Sequence, residues 1–344
     1  MTDNSNVIKS RQTLEKSISF RNYISIGLGA IVGMGWVMYS GVWLQDGGPI
    51  GAIIAFALCG LLLLPIGACY AEMTAALPVA GGEVAFTYKA FGSVIAFLTA
   101  WALALNYIAV TPFETIAIGA LLEAILPSIA TDPLYLVNGY KVSWSTIIPG
   151  IVIGLYLIDL NFKGAKGSTR FQTWVMYLLL VCTVIFSATA FLKGSVSNLV
   201  PMFADGSNSW ALAPSSIISV LVIAPWFMGG FDTIPQAAEE SGAKMKPKQL
   251  GLAILMSIGM GAIFYILIIL SVGMSVSSEQ LASIMKMKDV MPTAEVFRVA
   301  FGFEWAVKLV LFAALLGLIT TLNGFYIAGS RLLFSLGRGG MLPH

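Results

Sequence analysis

Charge is what this sequence has least of. Only 10% of its 344 residues are Asp, Glu, Lys or Arg, against about a quarter in soluble domains, so a water-facing surface cannot be built from it. Histidine is reduced to one residue, His344. The cysteines Cys59, Cys69 and Cys182 lie inside apolar runs, where an unpaired thiol behaves as a small hydrophobe. No metal-ligand spacing and no nucleophile–base pair is visible, which leaves enzymatic chemistry without its parts. The net charge is only +2, and the basic residues fall in loops instead of a phosphate-tracking stripe, which excludes nucleic acid as a partner. The opening Met1–Lys16 is polar and lacks the apolar core and small-residue cleavage site of a signal peptide.

What is present is hydrophobic: 58% of the residues, with a mean hydropathy of +0.87. Eight apolar runs lie at about 18–43, 49–76, 93–126, 145–160, 171–192, 214–238, 250–273 and 305–330. A spanning helix needs about 20 apolar residues. The pattern predicts an all-α polytopic membrane helix bundle: a tail at 1–17, then one transmembrane domain over 18–344 in contact with the lipid bilayer. Of the 19 basic residues, those of the tail, such as Lys9 and Arg11, fall with the majority on one side of the bilayer. That bias predicts cytoplasmic N- and C-termini in a plasma (inner) membrane. The longest polar insertion, 275–304, includes Lys288 and Asp289 and is expected to form short helices on the outer face.

Two runs contain what an uninterrupted lipid helix does not need. The first reads Gly27-Leu28-Gly29-Ala30-Ile31-Val32-Gly33-Met34-Gly35-Trp36, and the sixth Ala224-Pro225-Trp226-Phe227-Met228-Gly229-Gly230-Phe231-Asp232. Glycine costs about 1 kcal/mol per helical residue and proline about 3. Both spans are therefore expected to break near mid-membrane, which lipid tolerates only where the freed backbone faces a cavity or ligand. Paired broken spans are a sequence pointer to a transporter site. Free N–H groups at the second half-helix suit a carboxylate, and carbonyls ending the first suit an ammonium or sodium ion. Close helix packing through Gly29-x-x-x-Gly33 is the competing explanation for the first run. In the sixth, Asp232 adds a charge that lipid does not accept.

Four stretches together resemble the amino acid–polyamine–organocation (APC) superfamily of permeases. They are Gly33-Met34-Gly35; Tyr70-Ala71-Glu72-Met73 running into Leu77-Pro78-Val79-Ala80-Gly81-Gly82-Glu83; Gly230-Phe231-Asp232 with Ala237-Ala238-Glu239-Glu240; and Ser330-Arg331-Leu332-Leu333-Phe334 through Arg338-Gly339-Gly340-Met341-Leu342-Pro343. The resemblance implies a leucine-transporter-like inverted repeat of five plus five helices, with the substrate between the breaks of spans one and six. It implies that a substrate carboxylate meets backbone N–H groups around Gly33, Met34 and Gly35. The amine would meet carbonyls near Ile31 and along Trp226, Phe227 and Gly229, with Gly230 at the break and Trp226 as an aromatic lid. Met34 replaces the serine or threonine of many relatives, so a hydroxyl contact is lost. Five-plus-five symmetry needs ten spans, so the second repeat is incomplete after the eighth. A fragment is expected, or a shortened permease completed by missing C-terminal spans or a second copy in a homo-oligomer.

Glu114, deep in the third run beside Pro112, is a functional candidate by its depth: substrate contact, proton carriage or internal pairing. Asp232 is a second coupling or gating candidate. Thr320 and Thr321 offer oxygens beside the first break, as a sodium site needs, or bond back within their own helix. No lysine occurs in Trp174–Leu180, where proton-coupled relatives carry one. Glu72 and Glu83 are expected to anchor loops or gates, and Glu123 to snorkel. No cofactor is expected beyond a coupling ion, Na+ or H+. The functional expectation is a secondary active transporter of an amino acid or related amine. Alternatives are an exchanger of the same fold and a non-transporting membrane scaffold or sensor.

Overall fold

In lipid a backbone N–H or C=O finds no partner outside its own helix, so long apolar runs become helices. The structure, a computed structural model, describes residues 14–137, 140–206, 208–211, 213–287 and 291–342. Lys9, Arg11, Lys288, Asp289, Pro343 and His344 lie outside the described residues.

The first apolar run becomes α1 (Phe20–Ile31) and the front of α2 (Gly35–Ala76), with Val32, Gly33 and Met34 between them. Ser19 caps α1 by accepting the N–H of Asn22. A straight α2 would be about 63 Å long, twice the hydrocarbon thickness. Gly48 divides it: its φ is +67°, and a Cβ there would stand 2.5 Å from the backbone of Phe203. Next come α3 (Gly82–Phe91) and α4 (Ser93–Ile125), the latter continuing through Pro112. A hairpin of β1 (Pro133–Val137) and β2 (Tyr140–Ser143) follows. The all-α expectation had no place for it, because its residues read only as a loop between two spans.

Beyond the hairpin lie α5 (Trp144–Phe162) and α6 (Ala165–Lys193). The sixth run is broken into α7 (Ala213–Leu221), α8 (Ala224–Met228) and α9 (Thr233–Gln236), with a bend of 45° between 213–221 and 224–236. Then come α10 (Pro247–Ser275), two short helices from the polar insertion, α11 (Ser278–Met285) and α12 (Pro292–Phe301), and α13 (Glu304–Arg338). Among the described residues six helices are long and apolar enough to cross a membrane, or seven if the bent pair is one span. The difference from eight apolar runs is α2, which carries the end of the first and all of the second. The chain is a polytopic all-α bundle apart from the hairpin.

Burial separates the middle of the bundle from its edge. In the most apolar stretch of α13, 72% of residues are buried, against 22% in α4. Leu98, Trp101, Leu105 and Ile108 of α4 are exposed, as a lipid-facing side requires. α13 packs against α4, α6 and α1, and α10 runs along α2.

Polar side chains stitch these helices. Gln172 of α6 donates to the carbonyls of Ser25 (3.2 Å) and Thr320 (2.9 Å), and accepts from Asn323 (2.9 Å). At the end of the bundle holding the start of α1, Arg331 grips both oxygens of Glu240 at 2.7 and 2.9 Å. Arg338 grips Glu239 at 2.8 and 2.6 Å. Burial pushes the Glu239 carboxyl up, but the Arg338 hydrogen bonds and the Ala80 N–H outweigh it and hold the group below its usual range. Glu123 does not snorkel; it accepts the hydroxyls of Ser143 (2.8 Å) and Ser145, tying α4 to the hairpin.

Candidate functional site

The two helix breaks touch. Gly230, at φ +123°, lies so close to α1 that a Cβ on it would stand 2.6 Å from the Ala30 carbonyl carbon. In return, a Cβ on Gly35 would meet the Phe227 ring at 2.5 Å. Each break thus supplies the glycine that admits the other's backbone or ring. The packing explanation holds for other glycines of the run: a Cβ on Gly27 would stand 2.6 Å from Ser257 Oγ, and one on Gly29 would collide with the Gln172 amide.

Around this contact lies a cavity of about 850 Å³. Its wall includes Ile31, Gly33, Met34 and Gly35 from the first break, and Trp226, Phe227, Gly229, Gly230 and Asp232 from the second. Asn106, Glu114, Thr321 and Tyr265 add polar groups, and Met38, Tyr39, Phe113 and Phe325 are among those that add apolar surface. Of the residues expected to bind substrate or to serve in gating and coupling within the spans, all but Thr320 lie on this wall. The Thr320 hydroxyl donates to the Gly317 carbonyl of its own helix at 2.9 Å, the back-bonding alternative named for it in the sequence.

The backbone of the first break is held by neighbours. Tyr265 Oη donates to the Ile31 carbonyl at 3.0 Å, and Thr321 Oγ1 to the Gly29 carbonyl at 2.9 Å. Gly33 N–H also donates to Ile31 O, at 3.2 Å. The Ile31 carbonyl, expected to be open to an amine, therefore already accepts two donors. The second break holds itself: Asp232 Oδ1 accepts the Gly230 N–H at 3.1 Å, and its Oδ2 accepts the Tyr107 hydroxyl at 2.7 Å. The carbonyls closing α8 are helix-end groups with no partner further along that helix.

Glu114 is 6% exposed and its Oε2 has no hydrogen-bond partner. Its Oε1 lies beside the first break, 3.5 Å from where a Gly33 Cβ would stand. An unpaired buried polar atom costs about 1–3 kcal/mol, more when charged, and the cavity wall contains no Lys or Arg. The arrangement suits a ligand that brings a positive charge.

The aromatics divide differently from the sequence expectation. Trp226 is 78% exposed at the cavity edge, so ordinary bundle packing does not explain it. Phe227 points inward, with its ring 4.8 Å from Trp43 and 5.2 Å from Tyr39. Tyr107, Tyr265 and Tyr39 were missed. Their only signal was a phenol inside an apolar run, in a chain where 11% of residues are aromatic.

Membrane-length helices packed around two touching backbone breaks, with a cavity at the crossing, define a polytopic membrane protein. The sequence profile of the amino acid permease family matches residues 18–344, and the chain belongs to that family, within the APC superfamily, whose members are transporters and not enzymes. The chain is similar to the methylthioribose transporter of Bacillus subtilis (23% identical over 335 residues, 96% of this chain and 69% of that protein). It is similar to the branched-chain amino acid permease BcaP of Bacillus subtilis (24% over 337 residues, 96% and 69%). It also resembles the chloroplastic cationic amino acid transporter 9 of Arabidopsis thaliana (26% over 343 residues, 97% of this chain and 57% of that protein). The chain thus spans between half and seven-tenths of the length of these relatives.

Proposed function

We propose that the chain carries an amino acid or related amine across the membrane as a secondary transporter, by alternating access, with the substrate lodged between the two breaks. The observation that carries this reading is the cavity at the crossing of the breaks, with the unpaired Glu114 oxygen on its wall. N–H groups opening α2 at Gly35 and Trp36 lack intrahelical partners and suit a carboxylate. The carbonyls ending α8 suit the α-amine. Glu114 favours substrates with a further positive charge, and the relatives named for cationic amino acids fit that preference. The exposure of Trp226 at the cavity edge supports a role in covering a bound molecule.

Reconstituted into proteoliposomes, the chain should accumulate or exchange a labelled amino acid or amine. Glu114→Gln should weaken binding of a cationic amino acid by about tenfold and that of a neutral one far less, the loss of one charge-assisted hydrogen bond. Trp226→Ala should weaken both, with no fall in thermal stability, because the indole is exposed. Unchanged affinities in both variants would remove these residues from the site. Absence of any binding or movement under sodium, proton or internal-substrate gradients would defeat the transport reading and leave a scaffold or sensor. Movement that requires substrate on both faces would identify an exchanger.

A further inference from the structure

We infer that Glu83, in its buried contact with Gln236 beside Asp232, is a proton-binding site that couples proton movement to movement of the substrate. The inference rests on the transport reading and names its coupling ion.

Glu83 opens α3 and is 6% exposed. Gln236, fully buried on α9, donates its amide N–H to Glu83 Oε2. Two buried oxygens in this contact, Glu83 Oε1 and Gln236 Oε1, have no hydrogen-bond partner. Both are acceptors while Glu83 is ionised, so the contact is short of one donor. The Tyr70 hydroxyl also bonds to this carboxyl, so what a proton on Glu83 adds is the further donor that Gln236 Oε1 lacks.

The surroundings argue the same way. Asp232 lies within electrostatic reach of Glu83, and Tyr70 of α2 and Tyr107 of α4 stand near both carboxyl groups. The Tyr107 hydroxyl is already committed to Asp232. α13, which also packs on α3, offers Arg331 and Arg338, but these are engaged by Glu240 and Glu239. Lys89, on α3 itself, is exposed in the last turn. Two neighbouring buried carboxyl groups without a cation of their own do not both ionise, so the pair keeps a proton.

Position makes that proton useful. Asp232 lines the substrate cavity and Glu83 does not, so the pair runs from the cavity into the packed end of the bundle. The turn before Glu83 is docked tightly on α9: Gly81 N–H donates to the Gln236 carbonyl at 3.2 Å, and a Cβ on Gly82 would stand 2.9 Å from Pro235 backbone. α9 is the far piece of the broken sixth span. A neutral Glu83 keeps α3 seated on α9. Loss of the proton sets two anions against each other across that seam and favours its parting. The proton enters Asp232 from the cavity, rests on Glu83, and leaves when the seam opens.

The test uses the chain in proteoliposomes, comparing gradient-driven uptake of a labelled amino acid with counterflow at equal pH. An inward proton gradient should raise wild-type uptake about fivefold or more. Glu83→Gln, which mimics the protonated form, should retain counterflow while its uptake ignores the gradient, and Glu83→Asp should restore the response. A Glu83→Gln protein that responds like wild type overturns the inference, as does brisk wild-type counterflow with uptake indifferent to the gradient. Should Glu83→Gln not fold, Gln236→Leu takes its place, with an expected displacement of the uptake pH midpoint by about one unit and no displacement as the overturning result. If no substrate moves at all, the transport reading falls by itself. A pH-indicator titration of the purified proteins then decides the site: on acidification from alkaline pH, wild type should take up roughly one proton more than Glu83→Gln, and equal uptake overturns it.

Discussion

The two breaks do the same job by opposite means. The first, over Val32–Met34, is gripped from outside by Tyr265 of α10 and Thr321 of α13. The second, over Gly229–Asp232, is closed by its own Asp232 folding back onto the Gly230 N–H. A break held by neighbours changes when those helices shift. A self-closed break travels as a unit and changes when its own carboxyl group loses or gains a partner. The first is thus suited to sensing the packing of the bundle, and the second to sensing charge.

Glycine substitution should expose the sharpest asymmetry. Gly230→Ala puts a methyl group into a conformation side chains avoid and against the Ala30 backbone, and should destabilise the protein by about 3 kcal/mol or more. Gly33→Ala meets Thr321 Oγ1 at 3.2 Å and nothing closer, and should cost about 1 kcal/mol or less. Thermal midpoints of the purified variants check the order; equal losses would erase the distinction.

Next in size, Asp232→Ala should speed amide exchange over residues 229–234 by about tenfold or more, since two hydrogen bonds to a carboxylate vanish together. Exchange over 31–35 should stay unchanged. Tyr265→Phe should do the reverse and less, speeding exchange over 31–35 about fivefold by loss of one neutral hydrogen bond. Exchange that spreads to both breaks in either variant would mean they are one cooperative unit.

The smallest effect lies in the loop that follows the second break. The Glu239 carboxyl is held below its usual range, so its contribution to stability is present above that range and fades as pH falls through the lowered value. The stability gap between wild type and Glu239→Gln should accordingly close on acidification. A gap that widens would mean that the Arg338 contact is not what holds Glu239.

The breaks were legible because their signals are local: clustered glycine, one proline and one in-span aspartate are each costly in lipid wherever the rest of the chain goes. Glu114 was legible for the same reason, as a charge at depth. The clamps were not. Tyr265 meets Ile31 and Tyr107 meets Asp232 across more than a hundred residues, and a phenol in an apolar run carries no mark of its partner. Thr320 and Thr321 are adjacent and chemically alike, and only the helix's rotation sends one hydroxyl to α1 and the other back to Gly317. Glu83 reads in the sequence as a loop anchor or gate because its neighbours are turn residues; that the turn is seated on α9 is visible only in the fold.

The holding of the first break by distant residues also sets an order on biosynthesis. Ile31 leaves the ribosome long before Tyr265, and Gly29 long before Thr321. Through most of synthesis these carbonyls have neither hydroxyl to receive, Ile31 keeping only the local N–H of Gly33, and under-satisfied carbonyls are poorly tolerated in hydrocarbon. The nascent first span is therefore best accommodated as one continuous helix or at the wet wall of the insertion machinery. Its break then becomes a late event, completed only when the last described helix arrives.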